Sequence, residues 1–230
     1  MMMNKKENFI IASSRRWNRR FFDDIKKNSI HNFFWVESDK SLRHILKVKK
    51  DIRYIFFFHW NTILSKEIYS EYECVCFHMT DLPYGRGGSP LQNLIKLGFK
   101  KTKISAFKMD NGIDSGPIYC KKDLSLDGNA RDIYLRCSKA SVEIINWIIK
   151  KNPKPKKQNG NIFKFDRRTP EMSEIDNNIN FNKLYDHIRM LDAPGYPKAF
   201  IQLKDFIIEF DNAKKNDQTI IAKATIKLKK

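Results

Sequence analysis

The sequence predicts an α/β layer fold built around a mainly parallel sheet, with a small helix and β-hairpin appended at its C-terminal end. Two observations carry that expectation. Over the first 150 residues, short apolar runs of strand length alternate with amphipathic stretches of helical spacing. The first four runs are apolar in their interiors and show no strict alternation with polar residues, as strands buried on both faces require.

The elements are taken in chain order. Asn8–Ala12 (NFIIA) reads as a buried strand, and Trp17–Lys27 comes next with helical spacing. His31–Val36 is a second strand, Leu42–Val48 a helix, Tyr54–His59 a third strand and Glu73–His78 a fourth. Ser89–Leu97 reads as a helix entered through Pro90, whose fixed φ suits a first turn. Thr102–Met109 is extended and alternating, and Pro117–Lys121 continues the sheet after a tight turn. Ala130–Lys151 is a long amphipathic helix, with Ile133, Leu135, Val142, Ile145, Ile148 and Ile149 on its apolar face. Lys151–Gly160 (KNPKPKKQNG) holds no apolar residue and reads as a linker. A loop at Arg167–Pro170, a helix near Phe181–Leu191 and two strands, Ala199–Phe210 and Thr219–Leu228, complete the chain. This divides it into an N-terminal α/β domain at 1–151 and a subdomain of linker, helix and hairpin at 152–230.

Composition sets the class. A chain of 230 residues that is 41% hydrophobic, with 17 Phe, can bury one good core and is not a disordered tail. No apolar run reaches the roughly 20 residues of a membrane helix. The charged opening MMMNKKENFI lacks the pattern of a secretory leader, so a cytoplasmic protein is expected. Cys74, Cys76, Cys120 and Cys137 form no CxxC pair and no zinc spacing, so reduced thiols and no metal are expected. The net charge of +18 would suit nucleic acid, a membrane surface or anionic small substrates. It is equally the result of lysines scattered through a chain rich in Lys, Asn, Ile and Phe, with modest clusters at 150–157 and at the C-terminus.

Two segments concentrate chemistry. Cys76–Pro90 (CFHMTDLPYGRGGSP) leaves a strand at His78 and passes through Pro83, three glycines and Arg86 to a helix start. Ligands of open α/β sheets bind beyond the carboxyl ends of the strands, and glycines let backbone approach them closely. Met109–Ile118 (MDNGIDSGPI) leaves a second strand through Asp110, Asn111 and Gly112 to Asp114. Alone, a histidine at a strand end is more often a hydrogen-bonded structural residue, and a DNGIDSG loop only a turn.

Together the two segments resemble the folate-dependent formyltransferase family, whose pattern is N-x-H-x-S-x-L-P-x-x-R-G-x-x-P and then D-x-G-x-D-x-G-P-I. His78, Leu82, Pro83, Arg86, Gly87 and Pro90 match the first part, and Asp110, Gly112, Asp114, Gly116, Pro117 and Ile118 the second. His78 and Asp114 stand 36 positions apart (114 − 78), as in the family. Trp60–Ile68 (WNTILSKEI) is similar to the segment preceding the first motif. Arg168–Pro170 and Arg189–Phe200 (RMLDAPGYPKAF) are similar to the region C-terminal to the catalytic domain in the tRNA and sugar branches.

The resemblance implies a Rossmann-like three-layer formyltransferase domain and transfer of the formyl group of N10-formyltetrahydrofolate, without a metal, to an amine. It implies His78 and Asp114 as catalytic residues. Phe58, His59, Trp60 and Leu64, with Asp110, Asn111, Gly112 and Ile113, would line the pterin pocket. One departure stands out. The family's catalytic Asn falls on Cys76, a poor substitute for an amide N–H donor. Either His59, Asn61 or a backbone N–H supplies the donor, or the oxyanion site is weaker. A nucleophilic Cys76 would need a lowered pKa.

For the acceptor, the tRNA branch carries a further C-terminal barrel of OB-fold size, whereas 30 residues come after Phe200 here. Phe77–Ile95 resembles the formyltransferases of UDP-linked 4-amino-4,6-dideoxy sugars, precursors of pseudaminic-acid-type glycans and lipopolysaccharide. On this reading the substrate is a nucleotide-linked amino sugar. Arg86, Gly87, Gly88 and Tyr84 would seat it, with Arg15, Arg16 and Arg168 as further candidates, and no nucleic acid or membrane partner. Trp17 or Trp60 would stack on a ring or pack in the core. The C-terminal hairpin would support a homodimer or pack on its own domain. Methionyl-tRNA as acceptor, or an inactive basic binding module of the same fold, are the alternatives.

Overall fold

The computed structural model describes residues 6–229, so the leader reading of residues 1–5 lies outside the described residues. The central sheet has six strands in the order β2-β1-β3-β4-β6-β7. These are β1 (Asn8–Ser13), β2 (Asn32–Val36), β3 (Ile52–Phe58), β4 (Cys74–His78), β6 (Lys101–Lys108) and β7 (Ile118–Ser125). The first four pair in parallel, and β6 runs antiparallel to β4. Helices α1 (Arg19–Lys27), α2 (Asp39–Val48) and α3 (Lys66–Glu71) connect the parallel strands, as the uninterrupted apolar runs require. The Ser38 side chain caps α2 by accepting from the Ser41 N–H.

The sheet is buried on both faces. Ile10, Ala12, Ile55 and Phe57 pack with Leu42, Leu64 and Ile68 on one side. Phe9 alternates with them in sequence and meets the rings of Phe33, Tyr54 and Phe56. Helix α5 (Ala130–Lys151) has the bounds its apolar spacing predicts.

The chain divides into two compact units interleaved along the sequence. The first holds the residues through Arg86 together with Lys103–Lys122 and Cys137–Phe163; the second holds Gly87–Thr102, Asp123–Arg136 and the residues from Lys164 onward. The sequence boundary at 151/152 therefore falls inside the first unit. Among the described residues, no helix is long and apolar enough to cross a membrane.

The second unit contains α4 (Pro90–Lys96), α6 (Phe181–Leu191) and a sheet ordered β11-β10-β9. The strand expected over Ala199–Phe210 is two strands, β9 (Ala199–Gln202) and β10 (Phe206–Lys215), before β11 (Ile220–Leu228). A tight turn closed by Leu203 N–H donating to the Phe206 carbonyl breaks the run. Polar side chains of the RMLDAPGYPKAF segment serve structure here. Arg189, 3% exposed, donates to the Leu126 and Gly128 carbonyls, and Asp192 accepts from Lys198 and from the Asn212 N–H.

A short two-stranded sheet joins β5 (Tyr84–Gly87) and β8 (Phe163–Phe165). Lys151–Gly160 is not a free linker. Lys156 exchanges both backbone hydrogen bonds with Ile118, extending the β7 edge of the first unit.

Candidate active site

Parallel register brings the carboxyl ends of β1, β3 and β4 to one level. Ser13 pairs with Phe58, and Phe57 with Cys76. His59 leaves β3 one residue later and His78 ends β4. His59 was expected inside the strand; it stands just outside, at φ 44°, a left-handed conformation uncommon for a non-glycine residue. Asp114 shares it at φ 50°. Such conformations cost energy and persist where surrounding contacts impose them, commonly at functional sites.

His78 is 7% exposed. Its Nε2 lies 2.7 Å from the Gly85 carbonyl oxygen, which can only accept, so Nε2 carries the proton. Its Nδ1 faces Asp114 Oδ2 at 3.5 Å. The ring nitrogen left to exchange protons is thus the one beside the carboxylate. The loop after β4 is held by its own polar groups: Thr80 Oγ1 also donates to the Gly85 carbonyl, and Ser105 Oγ donates to the Thr80 carbonyl while accepting the Leu82 N–H.

The Asp110 carboxylate shapes the second loop by accepting from the Gly112 N–H at 3.0 Å and the Ser115 hydroxyl at 2.7 Å. Gly116 is obligatory there, since a Cβ would sit 1.8 Å from the Lys108 carbonyl oxygen. Asn111 and Ile113 are exposed at its tip.

Other candidates fall elsewhere. Phe58 and Leu64 are core residues, Phe58 edge-on to Phe77 and Leu64 in the α2–α3 cluster, so only their backbone can meet a ligand. Trp60 packs against the same cluster, edge-on to Phe57. The Arg15 guanidinium lies over the Trp17 ring, and Trp17 in turn contacts His59.

The proposed diphosphate seat is largely taken up by packing. Arg86 directs Nε and Nη2 to Gln158 Oε1 at 3.1 and 2.7 Å. Tyr84 stacks on Phe163. A Cβ on Gly87 would meet the Phe165 carbonyl oxygen at 2.4 Å, and one on Gly88 would meet Arg167 Cα at 2.6 Å. These two glycines thus let the chain lie close against its neighbours within the second unit. Arg168, also in that unit, donates its backbone N–H to the Ser89 hydroxyl and directs Nη2 to the Met172 carbonyl.

The sequence did not single out Gln158 or Asn18. Gln158 binds Arg86 and also donates from Nε2 to the carbonyls of Asp114 (2.8 Å) and Gly116 (2.9 Å), tying the two motif loops together. Asn18, fully buried, touches both Ser138 and His59. Cys76 is unsuited to nucleophilic attack, because desolvation first and the Asp114 charge second push its thiol pKa far up. Among the described residues no group of three or more His, Cys, Asp and Glu is placed to hold a metal.

Comparison with known proteins bears on this arrangement. A family model described as methionyl-tRNA formyltransferase, C-terminal domain, matches residues 170–227. The solved structure of a methionyl-tRNA formyltransferase from Clostridium thermocellum is 45% identical with a TM-score of 0.93, covering 97% of this chain and 100% of that one. The methionyl-tRNA formyltransferase of Rickettsia canadensis is 32% identical over 114 residues, 48% of this chain but only 37% of that protein, so the match spans well under half of the curated relative. A 4-N formyltransferase from Francisella tularensis shares the fold, with a TM-score of 0.65 at 18% identity over 97% of this chain and 98% of that one.

Proposed function

The chain belongs to the folate-dependent formyltransferase family, and on that premise we propose that it transfers the formyl group of N10-formyltetrahydrofolate to a primary amine. The observation that carries the reading is the His78–Asp114 pair, with the His78 ring pinned through Nε2 and its Nδ1 turned to the carboxylate.

The chemistry asks for such a pair. A neutral amine attacks the formyl carbon, and negative charge develops on the formyl oxygen. As the new C–N bond forms the amine nitrogen becomes cationic and must lose a proton. Asp114 and His78 Nδ1 take that proton and stabilise the resulting charge. The bond to folate N10 then breaks, N10 receives a proton, and tetrahydrofolate and the formamide leave. Asp110 and Gly112 hold the loop that carries Asp114, and backbone groups of Asn111–Ile113 and of the segment from Phe58 to Leu64 form the folate side.

For the acceptor, the relative at 45% identity and the matched C-terminal model both carry the name methionyl-tRNA formyltransferase, and they favour the α-amine of methionyl-tRNA. The engagement of Arg86, Gly87 and Gly88 in packing weakens the diphosphate seat on which a sugar nucleotide would depend. A second reading, a nucleotide-linked amino sugar, is favoured by the resemblance of Phe77–Ile95 to the sugar branch.

The test is formylation of methionyl-tRNA beside UDP- and dTDP-linked amino sugars, with N10-formyltetrahydrofolate, at low and moderate salt. Turnover of methionyl-tRNA that falls steeply with salt, as release of many counterions predicts, is the expected result. Turnover of a sugar nucleotide alone would transfer the assignment to the second reading. No turnover of any amine would refute the proposal.

A further inference from the structure

Resting on the methionyl-tRNA reading above, we propose that Lys154, Lys156 and Lys157 form an RNA-binding strap that holds backbone phosphates of the acceptor beside the Asp114 loop. These lysines lie outside the two motif segments, and nothing in the formyl-transfer chemistry uses them.

Their charge has no partner in the fold. No Asp or Glu occurs from Ile144 through Phe165, while lysine recurs through the stretch. Lys150 and Lys151 close α5, where the helix dipole favours cations. Lys121 and Lys122 on the neighbouring strand β7 are paired with Asp81 and Glu143. Neither account covers Lys154, Lys156 and Lys157. All three are exposed, and among the described residues no carboxylate pairs with them. Like charges this close in the chain repel, and a bound polyanion reverses that unfavourable interaction.

The strap is fixed at three points. At one end Asn152 Oδ1 accepts from the Tyr54 hydroxyl at 3.0 Å and from Arg53 Nη2. In the middle the Lys156 backbone donates to Ile118 at 2.8 Å and accepts from it at 2.7 Å, which leaves the lysine side chain uncommitted. At the other end the Gln158 amide donates to the Asp114 and Gly116 carbonyls at 2.8 and 2.9 Å. Pro153 and Pro155 stiffen the backbone between these points. The six steps from Asn152 to Gln158 (158 − 152) span at most about 20 Å. Lys157 stands next to the residue that touches the Asp114 loop, and Asp114 Oδ2 is 3.5 Å from His78 Nδ1. Binding through side chains on an already ordered backbone avoids the cost of ordering a loop.

Number and spacing select the ligand. The three lysines are spread over at most about 10 Å of backbone. That spread suits the repeating charge of a nucleic acid strand better than the two adjoining phosphates of a sugar nucleotide. Lysine acts as a point charge on a flexible stem, a phosphate binder that reads no base. The strap therefore positions the acceptor and leaves its sequence to other groups.

The experiment compares the strap variant Lys154→Gln/Lys156→Gln/Lys157→Gln with a control that removes equal charge elsewhere. The control is Lys27→Gln/Lys40→Gln/Lys47→Gln, at exposed lysines of α1 and α2. Filter binding of methionyl-tRNA across a salt series reads affinity without turnover. Each phosphate contact contributes about 0.7–0.9 to the slope of log affinity against log salt, so the strap variant is expected to flatten that slope by about 2–3. At about 0.1 M salt this amounts to binding weakened by about 10²-fold, and the difference is expected to vanish towards about 1 M. In turnover, KM for methionyl-tRNA is expected to rise in step, with kcat and the folate KM changed far less. The control is expected to keep slope and KM near wild type. Equal losses in the two triple variants would reduce the effect to net charge and overturn the proposal. So would an unchanged slope in the strap variant, or self-association of that variant at unchanged affinity, which would make the lysines guards of the β7 edge. These outcomes leave formylation of methionyl-tRNA standing. A wild type that formylates only sugar nucleotides, or nothing, would instead overturn the acceptor reading, and the strap with it.

Discussion

Gln158→Ala tests whether the segment between α5 and β8 holds the active site together. The glutamine makes four hydrogen bonds, two from Nε2 to the Asp114 and Gly116 carbonyls and two at Oε1 from Arg86. Neutral bonds contribute about 0.5–1.5 kcal/mol each and bonds to a charged group about 1.5–3. The site is half-buried, so water replaces part of the loss, and the truncation should cost about 2–3 kcal/mol. For a chain of this length that is a fall in Tm of about 4–12 °C. The rate should suffer separately, because the Asp114 carbonyl is released and the carboxylate no longer has a fixed distance to His78 Nδ1. Misplacement of about 1 Å can cost about 10²-fold, so kcat should drop about 10- to 100-fold. Gln158→Glu separates the two effects. It keeps Arg86 as a charged partner but sets a carboxylate oxygen against two carbonyls, so it should lose rate while retaining more of the stability than alanine does. Thermal denaturation and single-turnover formyl transfer measure both quantities. An alanine variant that melts with the wild type and turns over normally would refute the brace.

Three further outcomes are expected. His78→Ala and Asp114→Ala should each remove at least about 10²-fold of turnover while the fold survives, whereas Cys76→Ser should stay active; near-normal rates in both of the first two, or a formyl thioester on Cys76 by mass spectrometry, would dismiss the site as described. Because the folded protein holds His59 at about 4 against an ordinary 6.5, the unfolded chain binds that proton first, so stability should fall as pH drops from about 6.5 towards 4. His59→Gln should flatten that part of the urea-midpoint profile, and an unchanged slope would contradict the burial. Phe206 pairs with Leu228 and Ile208 with Ile226 on one face of the C-terminal sheet, where Ile226 and Leu228 are 68% and 82% exposed, so a homodimer formed through this face is expected. Light scattering should give a dimer for the wild type and a smaller species for Leu228→Lys, and a wild-type monomer at micromolar concentration would remove the idea.

The parallel core was legible because burial on both faces leaves a mark that survives in one sequence. Phe9–Ala12 and Tyr54–Phe58 read as strands by their short length and their Ile and aromatic content, and the bounds of α5 agree with its apolar spacing. Elements held by backbone hydrogen bonds left no such mark. The β5–β8 pair is built from YGRG, which reads as part of a turn-rich loop, and from three residues around Lys164, too few to show a period. The break at Leu203 was hidden because apolar residues continue on either side of it.

The site was legible in its acids and bases and illegible in the groups that hold them. His78 and Asp114 stand out only together: alone each reads as a structural residue, and it is the joint match of their two loops, 36 positions apart (114 − 78), to one family pattern that marks them. Glutamine and asparagine carry no such mark, since on most surfaces they simply face water. Gln158 sits in a run of lysines and prolines with no apolar neighbour, yet its amide both donates to the carbonyls of the Asp114 loop and accepts from Arg86. Asn18 does the same between Ser138 and His59. An amide is suited to this position because it has a donor end and an acceptor end and no proton to lose, so the orientation it imposes does not change with pH. The titrating residues do the chemistry in a frame set by residues that cannot titrate. Substituting either amide by its acid should therefore disturb the site more than the loss of one hydrogen bond would, because it replaces two donors with acceptors facing groups that already accept.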